Sequence, residues 1–216
     1  MKAVIFDMDG LMFDTERVYV IACDYAGEKI GIGKAGYMTI KTLGMNSAMT
    51  RDVWHEEFGD TYDEDALLKY TKEFLENYYK DQRVPVKKGL YSLISFLKEK
   101  GYKLAVASSS ATWEVEKHLK DADVMDDFKV IVCGDMIDKS KPEPDIYLKA
   151  CELLGEKPEN CYALEDSENG LLSAYRAGCI PIMIPDLWQP DEGIMTVVYK
   201  KFCDLDEVKE FLEKEK

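Results

Sequence analysis

The sequence predicts an α/β protein: a parallel sheet covered by helices on both faces, with an all-helical segment inserted after the first strand. Three observations carry this. The chain opens on a short apolar run, Ala3 to Phe6, that stops at Asp7-Met8-Asp9-Gly10. From Lys87 onward, β-like runs alternate with amphipathic helical ones, the pattern of successive βα units. Between these two regions, residues 16–84 contain no convincing strand.

Each element follows from its own residues. Ala3 to Phe6 is apolar at every position, which suits a strand buried on both faces, and Gly10 permits a sharp turn after it. In the insert, Glu16 to Glu28 and Ser47 to Phe58 read as helices joined through the glycine-rich stretch Gly27 to Gly36. Leu67, Tyr70, Thr71, Phe74, Leu75 and Tyr78 fall at helical spacing. An insert placed directly after the first strand sits above the carboxyl edge of the sheet, where it can act as a lid. Met45-Asn46-Ser47, following Gly44, reads equally as a substrate-facing loop and as a plain turn. Beyond the insert, the strands expected are Lys103 to Ala107, Val130 to Cys133, Tyr162 to Leu164 and Ile180 to Ile184, five parallel strands with the first. The helices between them are Ala111 to Lys120, Asp145 to Leu154, and Glu168 to Ala177, the last stopped by Gly178. A charged C-terminal helix is expected to fray. The division expected is a core of residues 1–15 and 85–216 and a cap of residues 16–84.

Composition narrows the partners. The 216 residues, 46% apolar and 11% aromatic, suffice for one substantial core and a smaller insert. A formal charge of −14 repels nucleic-acid backbones and anionic membranes alike, so neither is an expected partner. An anionic substrate therefore needs local help. The six cysteines form no C-x-x-C pair and several interrupt apolar runs, as free thiols do when they pack as small hydrophobes. Asp7 and Asp9 break the first apolar run too early for a secretory signal, and no stretch has membrane-spanning length. The expectation is a cytoplasmic monomer or weak dimer acting on a small metabolite.

Four places end a predicted strand with a polar group: Asp7 and Asp9, Ser108 in Ser108-Ser109-Ser110, Lys141 in Ser140-Lys141-Pro142-Glu143-Pro144-Asp145, and Glu165-Asp166-Ser167. In an open α/β sheet all four meet at the carboxyl edge, where ligands bind. Carboxylates, hydroxyls and a lysine together suit phosphoryl transfer. With Asp7, Glu165 and Asp166 close together, a phosphate would be repelled unless a divalent cation bridged the oxygens, and oxygen-only ligands point to Mg²⁺. Lys141 supplies a fixed positive charge, and Ser108, with Ser109 beside it, offers hydroxyl donors to phosphate. Asp7 is then placed to attack phosphorus and form an aspartyl phosphate, and Asp9 to protonate the leaving oxygen.

The run Asp7-Met8-Asp9-Gly10-x-x-x-Asp14-Thr15, with Ser108, Lys141-Pro142-x-Pro144-Asp145 and Glu165-Asp166-Ser167-x-x-Gly170, resembles the four motifs of the haloacid dehalogenase-like hydrolases. Within that superfamily the chain is similar to the β-phosphoglucomutase and sugar-phosphatase group, whose helical cap follows the first motif. The resemblance implies a Rossmann-like, doubly wound core, with Asp7 as nucleophile, Asp9 as acid/base, and Ser108 and Lys141 on the phosphate. It also implies Mg²⁺ held by Asp7, the Asp9 carbonyl and Asp166, with Glu165 in support. Three departures bear on the reaction. The mutases of this group place a cap histidine where this chain has Tyr19 and an arginine near Ser47, and a lysine where it has Ala111. Losing those cations weakens the grip on a second phosphate, so hydrolysis of a monophosphate is favoured, with mutase-type phosphoryl transfer as the alternative. A non-catalytic phospho-accepting module is the rival from another class; a positioned Asp9 argues against it.

Simpler roles stand beside these. Asp14 could cap the helix that starts at Thr15, and Glu165-Asp166 could be an acidic helix start. Arg51, Trp54 and His55 are expected on a helix surface and His118 in solvent. Tyr19 is left open between the site and packing against Tyr70 or Phe74.

Overall fold

The computed structural model describes residues 2–43, 45, 47–80 and 82–215. Six strands form one sheet: β1 (Ala3–Phe6), β2 (Lys103–Ser108), β3 (Val130–Cys133), β4 (Cys161–Glu165), β5 (Ile180–Met183) and β6 (Lys200–Lys201). Their order is β3-β2-β1-β4-β5-β6 and every pairing is parallel. The chain thus winds outward from β1 in one direction and then from β4 in the other, a Rossmann-like doubly wound sheet. The reversal opens a crevice at the carboxyl ends of β1 and β4. Register fixes what lines it: Phe6 sits beside Val106 of β2 and Leu164 of β4, so Asp7, Ala107 and Glu165 lie one step further on.

The helices are α1 (Thr15–Ile30), α2 (Tyr37–Lys41), α3 (Ser47–Phe58), α4 (Glu64–Tyr78), α5 (Leu90–Glu99), α6 (Thr112–Asp121), α7 (Asp145–Leu154), α8 (Glu168–Arg176) and α9 (Leu205–Lys214). The strands alternate side chains between the two faces. Val4, Phe6, Leu104, Val106 and Leu164 pack under α5, α6 and α9. Ala3, Ile5, Ala105, Ala107 and Ala163 face α7 and α8, where small residues let Tyr147 and Ile146 lie close to the sheet. A separate apolar cluster, centred on Cys23, Met38, Trp54 and Leu67, holds α1 to α4 together.

The sequence expectations meet this structure with a few corrections. The sheet has six strands where five were expected, because β6 is a pair of exposed lysines with no apolar signature. Gly27 does not open a loop: it lies inside α1, where a Cβ would come 2.3 Å from the Gly33 carbonyl. The connection beyond it contains α2. Trp54 and His118 are buried, not on the surface. Helix α9 is ordered through Lys214; Asp204 caps it by accepting from the Glu207 N–H, and Leu205, Val208 and Leu212 are buried against α5. Gly44 and Asn46, and the Ser47 side chain, lie outside the described residues.

Two chain segments join the helical insert to the core, and they pair with each other. Phe13 bridges Val86 in antiparallel fashion, the Asp14 N–H donates to the Pro85 carbonyl at 2.8 Å, and the Lys87 N–H donates to the Met12 carbonyl at 2.9 Å.

Candidate active site

Asp7 leaves β1 with its N–H still bonded to the Leu164 carbonyl at 3.0 Å, so the sheet ladder holds its backbone in place. The chain then turns back tightly: the Phe13 N–H donates to the Met8 carbonyl and the Gly10 N–H to the Phe13 carbonyl. Gly10 has φ +81°, and a Cβ on it would fall 2.2 Å from Oδ2 of Asp166. Only glycine lets the β1 turn approach the β4 turn this closely.

Lys141, only 2% exposed, reaches across from the loop before α7. Its Nζ donates to Asp7 Oδ1 at 2.5 Å, to Glu165 Oε1 at 2.6 Å and to the Ala107 carbonyl at 3.1 Å. Glu165 also accepts from the Tyr147 hydroxyl and from Ser167 Oγ. Carboxylate oxygens of Asp7, Glu165 and Asp166 all come within 4.8 Å of one another. Asp9 faces the other way: Oδ1 accepts from Thr15 at 2.7 Å, and Oδ2 accepts from Ser110 at 2.8 Å and Ser108 at 3.3 Å.

Burial dominates the electrostatics. It raises the Asp7 carboxyl well above its ordinary range; Glu165 and Asp9 push the same way, and Lys141 opposes them. Asp166 is raised by burial first and then by Glu16 and Asp7. Burial pulls the Lys141 pKa down, yet Asp7 and Glu165 beside it outweigh burial and hold the ammonium's pKa above the normal lysine range. Glu16 is pushed up to about 9 by burial and then by Asp9, Asp7 and Asp186. One cation among several buried carboxylates leaves a surplus of negative charge. An all-oxygen cluster of this kind has the donor set that a hard divalent ion takes.

The structure therefore brings Asp7, Glu165, Asp166 and Lys141 into direct contact and hangs Asp9 and Ser108 at their edge. It does not bring Ser109 in: among the described residues no hydrogen bond reaches its hydroxyl, and Ser110 takes the place beside Asp9. The sequence assigns no role to Ser110, Tyr147 or Glu16, and to Thr15 only a place in the first motif. Asp14 makes no side-chain cap on α1 and instead pairs with Arg17 at 2.7 Å. Glu165 and Asp166 precede α8, which Ser167 caps through the Gly170 N–H. Tyr25 rather than Tyr19 lies against the Phe74 ring; Tyr19 is 39% exposed, while burial of its hydroxyl end raises its pKa. His118 packs between Phe13 and Tyr79, and burial lowers its pKa. Arg51 is exposed and pairs with Glu64.

Gly170 makes a local prediction. A Cβ there would lie 2.0–2.2 Å from the Glu165 carboxylate atoms, and the strand fixes Glu165 from below. Gly170→Ala is expected to destabilise the protein by about 1–3 kcal/mol, the usual cost of overpacking. Urea unfolding checks this; a midpoint equal to wild type would refute it.

Comparison with known proteins agrees with the geometry. The family model described as haloacid dehalogenase-like hydrolase matches residues 4–184. The phosphorylated carbohydrates phosphatase of Thermotoga maritima is 31% identical over 180 residues, covering 82% of each chain. The beta-phosphoglucomutase of Bacillus subtilis is 32% identical over 197 residues, 84% of this chain and 82% of that one. Among solved structures, CbbY from Rhodobacter sphaeroides in complex with phosphate superposes with a TM-score of 0.79 at 26% identity over 96% of both chains. With the motif residues gathered at one sheet edge and a match spanning most of its length, this chain belongs to the haloacid dehalogenase-like hydrolase family.

Proposed function

We propose that the protein is a Mg²⁺-dependent phosphatase that hydrolyses a small phosphorylated metabolite, a sugar phosphate or similar monophosphate, through an aspartyl phosphate on Asp7. The core is residues 1–15 and 85–216, and residues 16–84 form the lid over the sheet edge. The single observation that carries this reading is the contact of Asp7 with Lys141 inside the Asp7, Glu165 and Asp166 cluster. A nucleophile, a fixed cation and an all-oxygen donor set coincide there.

Asp7, the Asp9 carbonyl and Asp166 would hold the ion, with Glu165 in support; when bound it supplies charge neutralisation for the phosphoryl oxygens. The protein's own groups do the rest. Lys141 and the Ser108 hydroxyl take phosphate oxygens, and the Asp7 carboxylate attacks phosphorus in line with the leaving oxygen. As the new P–O bond forms, the bond to the leaving oxygen breaks and Asp9 passes it a proton. Thr15 and Ser110 hold Asp9 toward that position. A water then attacks the phosphorus of the aspartyl phosphate, Asp9 accepts its proton, and inorganic phosphate leaves with Asp7 regenerated.

Similarity to both a carbohydrate phosphatase and a mutase leaves the acceptor to be argued from this chain. Tyr19 and Ala111 stand where the mutases of the resembled group carry cations, so a second phosphate finds no partner at those positions. Water is the acceptor this favours. The test is a screen of sugar and polyol phosphates for phosphate release with and without Mg²⁺, run beside Asp9→Asn. Release that needs Mg²⁺ and falls at least about 10²-fold in Asp9→Asn is expected. An isomerised sugar phosphate without free phosphate, formed only with a bisphosphate activator, would overturn hydrolysis in favour of mutation.

A further inference from the structure

Two carboxylate oxygens are sealed from solvent and have no hydrogen-bond partner among the described residues: Oε2 of Glu16, at the edge of the Asp7 cluster, and Oδ2 of Asp186, whose charge acts on Glu16. Glu16 is the second residue of α1 and so belongs to the lid; Asp186 follows β5 in the core. The Cβ position on Gly10 lies 2.2 Å from Asp166 Oδ2 and 3.0 Å from Glu16 Oε2, so those oxygens flank a single point at the cluster. The Asp186 side chain is only 6% exposed, and its Oδ1 already takes both nearby cations, Arg17 and Lys87, each at 2.7 Å. Among the described residues neither oxygen has a donor.

A buried carboxylate oxygen without a hydrogen-bond partner is costly, and no described group supplies one here. Hard divalent ions held by few carboxylates keep several of their waters, and each such water has protons to give. Carboxylates just outside the ligands of a metal accept those protons and fix the shell in place. We propose that Glu16 Oε2 accepts a hydrogen bond from a water of the divalent ion, so that the first turn of the lid is tied to the metal. This rests on the metal reading given above. Glu16 is a positioning residue here: it touches neither phosphorus nor the leaving group. Its consequence is that loading the ion draws the start of α1 onto the core, linking metal occupancy to the seating of the lid.

The experiment measures Mg²⁺ affinity by calorimetry for wild type, Glu16→Gln and Asp166→Asn, with hydrogen exchange read at the amides of residues 19–22. Glu16→Gln is expected to weaken Mg²⁺ binding about tenfold or more, and Mg²⁺ is expected to slow exchange at those amides in wild type but less in the variant. A Glu16 that merely sits protonated is mimicked by glutamine, so affinity within twofold of wild type and unchanged protection would overturn the proposal. Asp166→Asn separates the two levels of argument. If it too binds Mg²⁺ like wild type, the metal site itself is wrong and the inference falls with it; if it loses binding while Glu16→Gln does not, only the inference falls. Should Glu16→Gln fail to fold without metal, Glu16→Asp, which keeps the charge but draws the oxygen back by one methylene, is measured against the same criteria.

Discussion

Replacing Asp7 by asparagine is expected to lower the rate of phosphate release at least about 10³-fold, because in the proposed mechanism an amide cannot take the phosphoryl group and the remaining groups can only bind and polarise. The side chain keeps its size, so packing in the cluster is nearly preserved. The stability of the variant should not fall: one buried negative charge is removed from a site where burial already raises the Asp7 carboxyl. Rapid-quench measurement with a phosphorus-labelled substrate distinguishes the outcomes. Wild type should show label on protein at early times and Asp7→Asn none. A variant that keeps wild-type turnover, or that still becomes labelled, removes Asp7 from the nucleophile's role.

The second large effect is a stability that falls with pH when metal is removed. Asp7, Asp166 and Glu16 all have folded-state pKa values raised above the ordinary carboxylate range near 4, Glu16 to about 9. Between the unfolded and folded values, the folded chain holds protons that the unfolded chain has released, so stability drops as pH rises. Each such group contributes about 1.4 kcal/mol per pH unit in that window. In a chelator, the melting temperature is expected to fall by at least about 5 °C between pH 6 and pH 8. Saturating Mg²⁺ should flatten this slope, since the ion replaces the bound protons and stabilises the folded state by mass action. Circular dichroism melts at both pH values, with and without the ion, decide it. A metal-free melting temperature that is level or rises with pH would mean that the carboxylates are not crowded in solution.

The central strands were legible because they are buried on both faces and therefore read as unbroken apolar runs: β1 spans Ala3–Phe6 as the sequence places it, and the edge strand β3 and helix α7 also begin and end where expected. The sheet's last edge was not, since two exposed lysines become a strand only by meeting Ile182 and Met183. For the site, Asp7, Asp9, Ser108, Lys141, Glu165 and Asp166 all announced themselves by ending strands or preceding helices. The contacts among them did not. Choosing Ser110 over Ser109 depends on how one loop curls toward Asp9, and nothing in a run of three serines fixes that. Tyr147 meets Glu165 across 18 residues and Thr15 meets Asp9 across the turn at Gly10, both consequences of tertiary approach. His118 was legible and overlooked: Val115, His118 and Leu119 share one face of α6, and that face is buried. Trp54, packed against Phe58 and Tyr62, was likewise mistaken because a helix viewed alone does not show which side its neighbours cover.

The pairing of residues 12–14 with residues 85–87 has a mechanical consequence. Two separate single-stranded tethers would let the helical insert twist and translate with little resistance. Stitched side by side, they form a ribbon that is soft to bending across its face and stiff to shear and torsion. Such a ribbon would favour a swing of the insert about one axis over twisting or sliding. Because the same ribbon continues through Gly10 into Asp9, a swing of the insert would reach Asp9 by the shortest covalent path into the core.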